Sequence, residues 1–204
     1  MLGASGHGKV VADIAESCGF QVTFFDDRYP EMKGIEHWTV NGNTADLIRV
    51  KNQFDCAFVA IGDNTIRAAK QAVLQTHGLI STSLIHPSAV VSRYAQIDHG
   101  TVVFPGAIIN SFSKIGAGCI INSNSVIEHD CNLGKFCHIS PNVALGGGTR
   151  IGSKSWIGIG SVTKQLIEIG ESVVIGAGST VVSNVPNYVI AYGTPTKIIK
   201  AVDS

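Results

Sequence analysis

The sequence has little charge and no excess charge of either sign. Only 15% of its 204 residues are charged, and 15 lysines and arginines balance 15 aspartates and glutamates. A chain without net charge has no global field that would draw it to nucleic acid or to an anionic membrane, so we expect neither as a partner. Any anionic ligand must be held by local groups.

Signals for export, membrane insertion, disulfides and zinc binding are also missing. No apolar run approaches the roughly 18 to 20 residues of a membrane span, and the opening MLGASGHGKV lacks the regions of a signal peptide. We therefore expect a cytoplasmic protein. The five cysteines are odd in number and include no CxxC, which excludes an evident disulfide framework or zinc knuckle.

The second half of the chain repeats with a period of six. From Ile85 to Val181, sixteen of the seventeen positions spaced by six are Ile, Leu or Val. Four residues after each of them the side chain is usually small, as at Cys119, Cys131 and Cys137. Glycine often follows the aliphatic residue, and we expect the chain to bend there.

A period of six fits neither a helix nor a simple strand. Helices repeat at about 3.6 and strands at 2, so one large and one small inward residue per hexad predict short strands separated by corners. Three hexads make one triangular coil, and the array predicts a left-handed parallel β-helix of between five and six coils. The three cysteines then fill small inward positions and are structural.

Residues 1–80 lack the hexad and predict a separate, small α/β domain, Rossmann-like in its order of elements. The loop GASGHGK precedes helical spacing in VVADIAESCG, and QVTFFDD follows as a β-rich run ending in Asp26 and Asp27. A second unit reads as a strand in DCAFVAIGDN and a helix in TIRAAKQAVLQTHG. We assign residues 81–204 to the β-helix and a C-terminal tail.

The glycine loop allows two interpretations. Backbone N–H groups at a helix N-terminus can face a phosphate, and an acid about twenty residues later can reach a ribose or a base. Gly3, Gly6 and Gly8 could equally make only a tight turn. Only Met1 and Leu2 precede Gly3, where a unit of this kind normally has a full apolar strand.

Taken together, the motifs resemble those of the bacterial nucleotide-sugar acetyltransferases. They are GASGHGK, FFDD, AIGDN, LIHPSA, the hexads with SVIEHDC and FCHIS, and YGTPTK. The chain is most similar to the N-acetyltransferase of the bacillosamine pathway and to its sialic acid O-acetyltransferase relatives. The resemblance implies a homotrimer that binds acetyl-CoA between adjacent β-helices and the nucleotide sugar on the N-terminal domain. It implies no metal, and a role in surface glycan or glycoprotein sugar synthesis.

The resemblance also implies roles for residues of the β-helix. His129 matches the general base, and Asp130 matches the acid that orients it. The bacillosamine enzymes carry glutamate there, and whether the shorter aspartate reaches the imidazole is open. His138 matches a second histidine near the acetyl thioester, Gly147 a backbone N–H donor to the thioester carbonyl, and Asn122 a residue close to the sugar.

On the N-terminal domain, His7, Asp26 and Asp27 match contacts to the nucleotide. The implied substrate is a UDP-4-amino-4,6-dideoxyhexose. Its amine attacks the thioester after losing a proton, which a neutral imidazole can accept, and the tetrahedral oxyanion needs a positioned donor. The neighbouring Glu128 is expected to be a solvated surface residue.

Two alternatives belong to other classes. A zinc-dependent β-helix hydratase of the γ-carbonic anhydrase type shares the hexads but needs two histidine ligands five residues apart, a spacing that no two histidines have here. A non-catalytic nucleotide-sugar-binding protein would keep the glycine loop and the trimer without needing His129.

Overall fold

The computed structural model describes residues 1–202. The chain forms a small α/β domain followed by a three-sided parallel β-helix, which confirms the predicted fold class. The helices are α1 (Gly6–Ser17), α2 (Thr44–Arg49), a 3-10 turn (Lys51–Gln53) and α3 (Asn64–Thr76). The strands are β1 (Gly34–Ile35), β2 (Trp38–Thr39), β3 (Leu84–Ile85), β4 (Val90–Val91), β5 (Gln96–Ile97), β6 (Val102–Val103), β7 (Ile108–Ile109), β8 (Lys114–Ile115), β9 (Ile120–Ile121), β10 (Val126–Ile127), β11 (Asn132–Leu133), β12 (His138–Ile139), β13 (Ala144–Leu145), β14 (Arg150–Ile151), β15 (Trp156–Ile157), β16 (Val162–Thr163), β17 (Glu168–Ile169), β18 (Val174–Ile175), β19 (Thr180–Val181), β20 (Val189–Gly193) and β21 (Thr196–Ala201).

The α/β domain contains single parallel bridges, and those of Phe24, Phe25, Ala57 and Val59 lie in the two predicted strand segments. They join Leu2 to Phe25 and Val59, Phe24 to Val40, and Ala57 to Ser81. Because Ser81 still pairs within this domain and β3 begins at Leu84, the junction lies between these two residues. The division at residue 80 stays a prediction, and residues 203–204 of the second predicted domain lie outside the described residues.

Both predicted helices of this domain are present. Ser5 is the N-cap of α1, and its hydroxyl accepts a hydrogen bond from the N–H of Gly8 at 3.4 Å. Asp63 is the N-cap of α3, and its carboxylate accepts from the N–H groups of Thr65 and Ile66. These caps fix where each helix begins, at the edge of the sheet where the parallel segments end.

The β-helix has three faces, which we number by chain order. The first face contains β3, β6, β9, β12, β15, β18, β20 and β21, the second contains β4, β7, β10, β13, β16 and β19, and the third contains β5, β8, β11, β14 and β17. The second residue of almost every two-residue strand points inward and is aliphatic. Cys119, Cys131 and Cys137 are buried in the same core, as predicted.

The corners bend at a position that the sequence did not indicate. A residue in the left-handed region recurs with the period of the hexads, for example Asp130 (φ 60°), Phe136 (φ 58°) and Gly148 (φ 68°). The glycines that directly follow the aliphatic residues do not have positive φ. A Cβ at Gly116 would lie 2.8 Å from the backbone of Gly134 in the next coil. The predicted bend at these glycines is therefore wrong, and they are needed for close approach between coils.

The outward residues differ in character between the three faces. On the third face they are polar, namely Gln96, Lys114, Asn132, Arg150 and Glu168. On the second face they are apolar except for the last, namely Val90, Ile108, Val126, Ala144, Val162 and Thr180. An apolar outer face suits contact with another surface, whereas a polar one suits water.

The first face carries the N-terminal domain. Val11, Ile14 and Phe58 of that domain are buried against Val102 and Ile120 of the β-helix. Beyond the coils, where the sequence predicts only a tail, β20 and β21 form an antiparallel hairpin that extends this face. Within residues 1–202, no helix has the length and apolar character needed to cross a membrane.

Candidate active site

His129 and Asp130 lie at the corner between the second and third faces, between β10 and β11. The imidazole Nδ1 is 2.8 Å from Asp130 Oδ2, which answers the question of reach that the sequence leaves open. Both side chains are about two-thirds exposed, at 64% and 63%. Because Asp130 has φ 60°, its short side chain turns back toward the preceding residue.

This contact selects the tautomer of His129. A carboxylate accepts, so Nδ1 must carry the proton, and Nε2 has its lone pair free. Nε2 is therefore the atom of this corner that can remove a proton from an incoming group. The same corner also places a backbone N–H group next to this imidazole.

Gly147 is one coil above His129 at the same corner. A Cβ on Gly147 would lie 2.6 Å from His129 Nε2, so the imidazole packs over this residue in a space that only glycine leaves open. Among residues 1–202, no acceptor takes the Gly147 N–H, while the next N–H, of Gly148, donates to His129 O at 2.8 Å. The corner thus combines a candidate base with a free N–H.

The first face holds the other predicted site residues of the β-helix. Asn122 Oδ1 accepts from the Ser123 N–H at 2.8 Å, which orients its amide so that Nδ2 faces His138 Nε2 at 3.2 Å. His138 Nε2 is therefore an acceptor, and the ring is neutral. Trp156, one coil above, stacks on His138 with ring centroids 5.7 Å apart.

His7 reaches this cluster from the N-terminus of α1. Its ring lies 5.8 Å from that of Phe104 and 6.5 Å from that of His138, and its Nε2 is buried without a partner among the described residues. Burial, and after it the charge of Arg67, lowers the pKa of His7 to about 4 and that of His138 to about 3. Both rings are neutral at pH 7.

A groove of about 620 Å³ opens beside His138. It runs between the start of α3 and the first face, and its lining includes Asp63, Asn64, Lys154, Trp156 and Tyr188. The groove therefore joins the end of the N-terminal sheet to the His138 cluster. Its size is that of a small-molecule binding site.

Asp26 and Asp27 are engaged within the N-terminal domain. Burial would raise the pKa of Asp26, but hydrogen bonds from Arg28 and from the Ala4 N–H, with the charge of Arg28, lower it to about 2. Asp27 accepts hydrogen bonds from Thr44 and Lys70, and these outweigh its desolvation and lower its pKa. Both acids are ionised and stiffen the loop that follows Phe25. Their predicted contact with the nucleotide stays a prediction.

A single chain does not bring all the predicted residues together. His129, Asp130 and Gly147 lie at the corner between the second and third faces, whereas His138 lies on the first face, opposite that corner in a three-sided prism. One chain therefore carries two separate half-sites, the corner half-site and the first-face half-site. We keep these two names below.

Sequence reasoning missed several residues of the first-face half-site. Phe104, Trp156 and Arg67 contact it or act on it, and Arg67 is only 1% exposed. The available signal was helix spacing, because Arg67 lies on the same face of α3 as Gln71 and Leu74, both of which are buried. An arginine at such a position has to be paired or fully hydrogen-bonded.

Glu128 differs from its expected role as a solvated residue. It is half-buried, and its Oε2 accepts a hydrogen bond from Asn110 Nδ2 at 3.1 Å. Among residues 1–202, no group of three or more His, Cys, Asp or Glu side chains is arranged to hold a metal ion.

Two family models match the chain. The PglD N-terminal domain matches residues 1–74, and the bacterial transferase hexapeptide (six repeats) matches residues 112–147. Among curated proteins, UDP-N-acetylbacillosamine N-acetyltransferase from Bacillus subtilis (strain 168) is 34% identical over 108 residues, which are 50% of this chain and 49% of that protein. The match thus spans about half the length of that relative.

Solved structures extend the likeness to nearly the whole chain. PerB from Caulobacter crescentus, in complex with CoA and GDP-perosamine, is 36% identical with a TM-score of 0.93, covering 98% of this chain and 95% of that one. The acetyltransferase domain of PglB from Neisseria gonorrhoeae FA1090, in complex with acetyl coenzyme A, is also 36% identical with a TM-score of 0.93, covering 97% of each.

These likenesses define the chain as a hexapeptide-repeat acetyltransferase with a PglD-type N-terminal domain. It belongs to the family of acetyl-CoA-dependent sugar N-acetyltransferases that includes perosamine N-acetyltransferase and the PglB acetyltransferase domain. The family implied by the sequence motifs is thereby confirmed.

Proposed function

We propose that the protein transfers acetyl from acetyl-CoA to the amine of a nucleotide-linked 4-amino-4,6-dideoxyhexose, with UDP as the expected nucleotide and His129 as the general base. The observation that carries the proposal is the corner half-site. There Nδ1 of His129 lies 2.8 Å from Asp130 Oδ2, which fixes the tautomer, and Nε2 packs against Gly147, whose N–H has no acceptor among residues 1–202. A cytoplasmic location stays a prediction from the sequence.

The reaction follows from these atoms. His129 Nε2 takes a proton from the amine as the nitrogen attacks the acetyl carbonyl. The Gly147 N–H donates to the carbonyl oxygen as it becomes an oxyanion, and no Cβ obstructs the approach. Collapse of the tetrahedral intermediate breaks the C–S bond, and the His129 imidazolium returns its proton to the CoA sulfur. No step uses a cysteine, consistent with the burial of Cys119, Cys131 and Cys137.

The complete site is assembled between subunits of a homotrimer in this proposal. The second face presents an apolar outer column, with Val90 63% exposed and Val162 39% exposed, which another copy of the chain would cover. A three-fold ring brings the corner of one prism toward the first face of its neighbour. His129 of one chain would then serve a sugar held by His7, Asn122 and His138 of the next.

Substrate identity is tested by release of the CoA thiol. We expect acetyl-CoA to be consumed with UDP- or GDP-linked 4-amino-4,6-dideoxyhexoses, with kcat/KM at least about 100-fold above that for free sialic acid. The matched control is the same nucleotide sugar with a hydroxyl in place of the amine, which should release no CoA. Turnover on free sialic acid alone would move the protein to the O-acetyltransferase relatives, and no turnover on any acceptor would contradict acetyl transfer.

Site sharing is tested by mixing two inactive variants. His129→Ala disables the corner half-site and His138→Ala disables the first-face half-site. When the two are unfolded and reassembled 1:1, about one interface in four receives both intact halves, so activity should return to about a quarter of the wild-type level. Mixed trimers that stay inactive, while wild-type chains recover through the same procedure, would show that each site is built within one chain.

Family membership decides between the alternatives from other classes. The relatives compared above are named as acetyltransferases, which favours acetyl transfer over a zinc-dependent hydratase and over a non-catalytic binding protein. The free lone pair of His129 Nε2 can accept a proton, as acetyl transfer to an amine requires, whereas binding of a nucleotide sugar alone does not require it.

A further inference from the structure

One face of α3 follows a corner of the β-helix coil by coil. Asn64, Arg67, Gln71 and Gln75 are spaced by three and four residues and therefore lie in one row along the helix. They meet the corner between the third and first faces, and we call them the α3 row. Its ends are fixed by Asn64 Nδ2, which donates to Lys154 O at 3.0 Å, and by Gln75 Nε2, which is 2.7 Å from His99 Nε2.

The α3 row can contact successive coils because the pitch of the helix is close to the spacing between coils. One turn of an α-helix rises 5.4 Å, and neighbouring strands lie about 4.8 Å apart. Along its length α3 therefore runs past four successive coils, those of Lys154, Phe136, Gly118 and Gly100. Between the ends of the row, Arg67 reaches the coils of Gly118 and Phe136, and the Gln71 amide lies against Gly100.

Arg67 is the charged member of the row, and each of its five N–H groups has an acceptor. Nε donates to Gly118 O at 2.7 Å and Nη2 to Phe136 O at 3.0 Å, both in the β-helix. Nη1 donates to Ile61 O and Gly62 O at 3.0 and 2.9 Å, and Nη2 also donates to Asn64 Oδ1 at 2.7 Å. The guanidinium thus joins the 61–64 loop of one domain to two coils of the other.

All five acceptors are neutral. Burial therefore lowers the pKa of Arg67 to about 10, which still leaves it charged at pH 7. The titratable groups near it are His7 and His138, the buried thiols of Cys119 and Cys137, and the carboxylate of Asp63. Retaining a buried cation without a hydrogen-bonded carboxylate is costly, so a role beyond packing is worth seeking.

Several acceptors of the Arg67 hydrogen bonds lie close to the first-face half-site. Phe136 is two residues before His138, and Gly62 and Asn64 line the groove beside it. We infer that Arg67 is a positioning residue for acetyl transfer, which holds the 61–64 loop and the coil of His138 at the separation that the nucleotide sugar requires. This inference rests on the proposed function.

Charge and geometry can be separated by two substitutions. Arg67→Lys keeps the cation but cannot make five hydrogen bonds, whereas Arg67→Met removes both. We expect both variants to lose about 100-fold in kcat/KM for the nucleotide sugar, since an error of about 1 Å in placement costs this much. The pKa of His138, followed by NMR of its ring nitrogens, should stay low in Arg67→Lys and rise in Arg67→Met.

Gln75→Ala is the matched control. It removes a contact of the same row at the end far from His138, and we expect unchanged kcat/KM and an unchanged pKa for His138. Equal losses in Gln75→Ala and Arg67→Lys would show that general docking of α3 matters, and wild-type kcat/KM in Arg67→Lys would show that Arg67 only packs. Either result overturns the inference.

The inference can fail separately from the proposed function. Absence of turnover by the wild-type enzyme would refute acetyl transfer, while the NMR measurement would still show whether Arg67 sets the state of His138. If neither Arg67 variant folds, Asn64→Ala provides a second test, because it removes the hydrogen bonds of Asn64 to Arg67 and to Lys154 O. It should lose about tenfold in kcat/KM with a circular dichroism spectrum like that of the wild type, and full activity would overturn the inference.

Discussion

Replacing His129 with alanine is expected to lower kcat by about 100- to 10,000-fold while leaving the KM for both substrates nearly unchanged. The substitution removes the free Nε2 and leaves the Gly147 N–H and the groove in place. Steady-state kinetics with acetyl-CoA and the best nucleotide amino sugar will measure the effect. Activity within tenfold of the wild type would exclude His129 as the base.

The chain provides a matched control for this variant. His99 is an exposed histidine whose Nδ1 lies 2.7 Å from Asp98 Oδ1, so it repeats the imidazole–carboxylate pair at another corner. His99→Ala should retain wild-type kcat. Asp130→Asn should reduce kcat by about 10- to 100-fold, less than His129→Ala, because the ring remains but its tautomer is no longer fixed.

The second large effect is a loss of stability in mild acid. Burial and Arg67 lower the pKa values of His7 and His138 in the folded state to about 4 and about 3, while an unfolded histidine titrates near 6.5. As the pH falls below 6.5, the unfolded chain binds protons that the folded chain does not, so the folded state loses relative stability. Between pH 7.5 and 5 the two histidines together should cost about 4 kcal/mol.

Urea unfolding at both pH values and one protein concentration will test this result. His7→Phe should reduce the pH dependence by about 2 kcal/mol, because it removes one of the two buried histidines that bind a proton only on unfolding. His77→Gln, which changes an exposed histidine, is the control and should leave the pH dependence as it was. A wild-type free energy of unfolding that is equal at pH 7.5 and pH 5 would contradict the prediction.

Much of the fold could be predicted because the local residue pattern of each hexad is enough to indicate its structure. A large aliphatic residue and a small one, repeated every six residues, fit a short strand and a corner, and long-range information is hardly needed. The strands of the N-terminal domain were harder to predict, because their pairing is limited to single bridges such as that of Leu2 with Val59. Their apolar residues indicate burial but do not set the length of pairing.

The candidate site was predictable only in part. His129 and Asp130 could be recognised from their motif. Their contact depends on the left-handed backbone conformation of Asp130, which the neighbouring residues in the sequence do not predict. The bend was assigned to the glycines that follow the aliphatic residues. Those glycines are needed for close approach between coils, whereas the bend is made by residues with positive φ such as Gly148. Arg67 was missed because two of its five acceptors are backbone carbonyls 51 and 69 residues further along the chain, at Gly118 and Phe136.

The step-by-step match between α3 and the coils constrains how this protein can change in length. An added or deleted coil before residue 99 or well beyond the groove would leave the two half-sites in their present relation. One added coil between His99 and Lys154 would shift the anchors of the α3 row by about 4.8 Å along the prism. The 61–64 loop would then be displaced relative to the coil of His138, so we expect variation in coil number among functional relatives to avoid that interval.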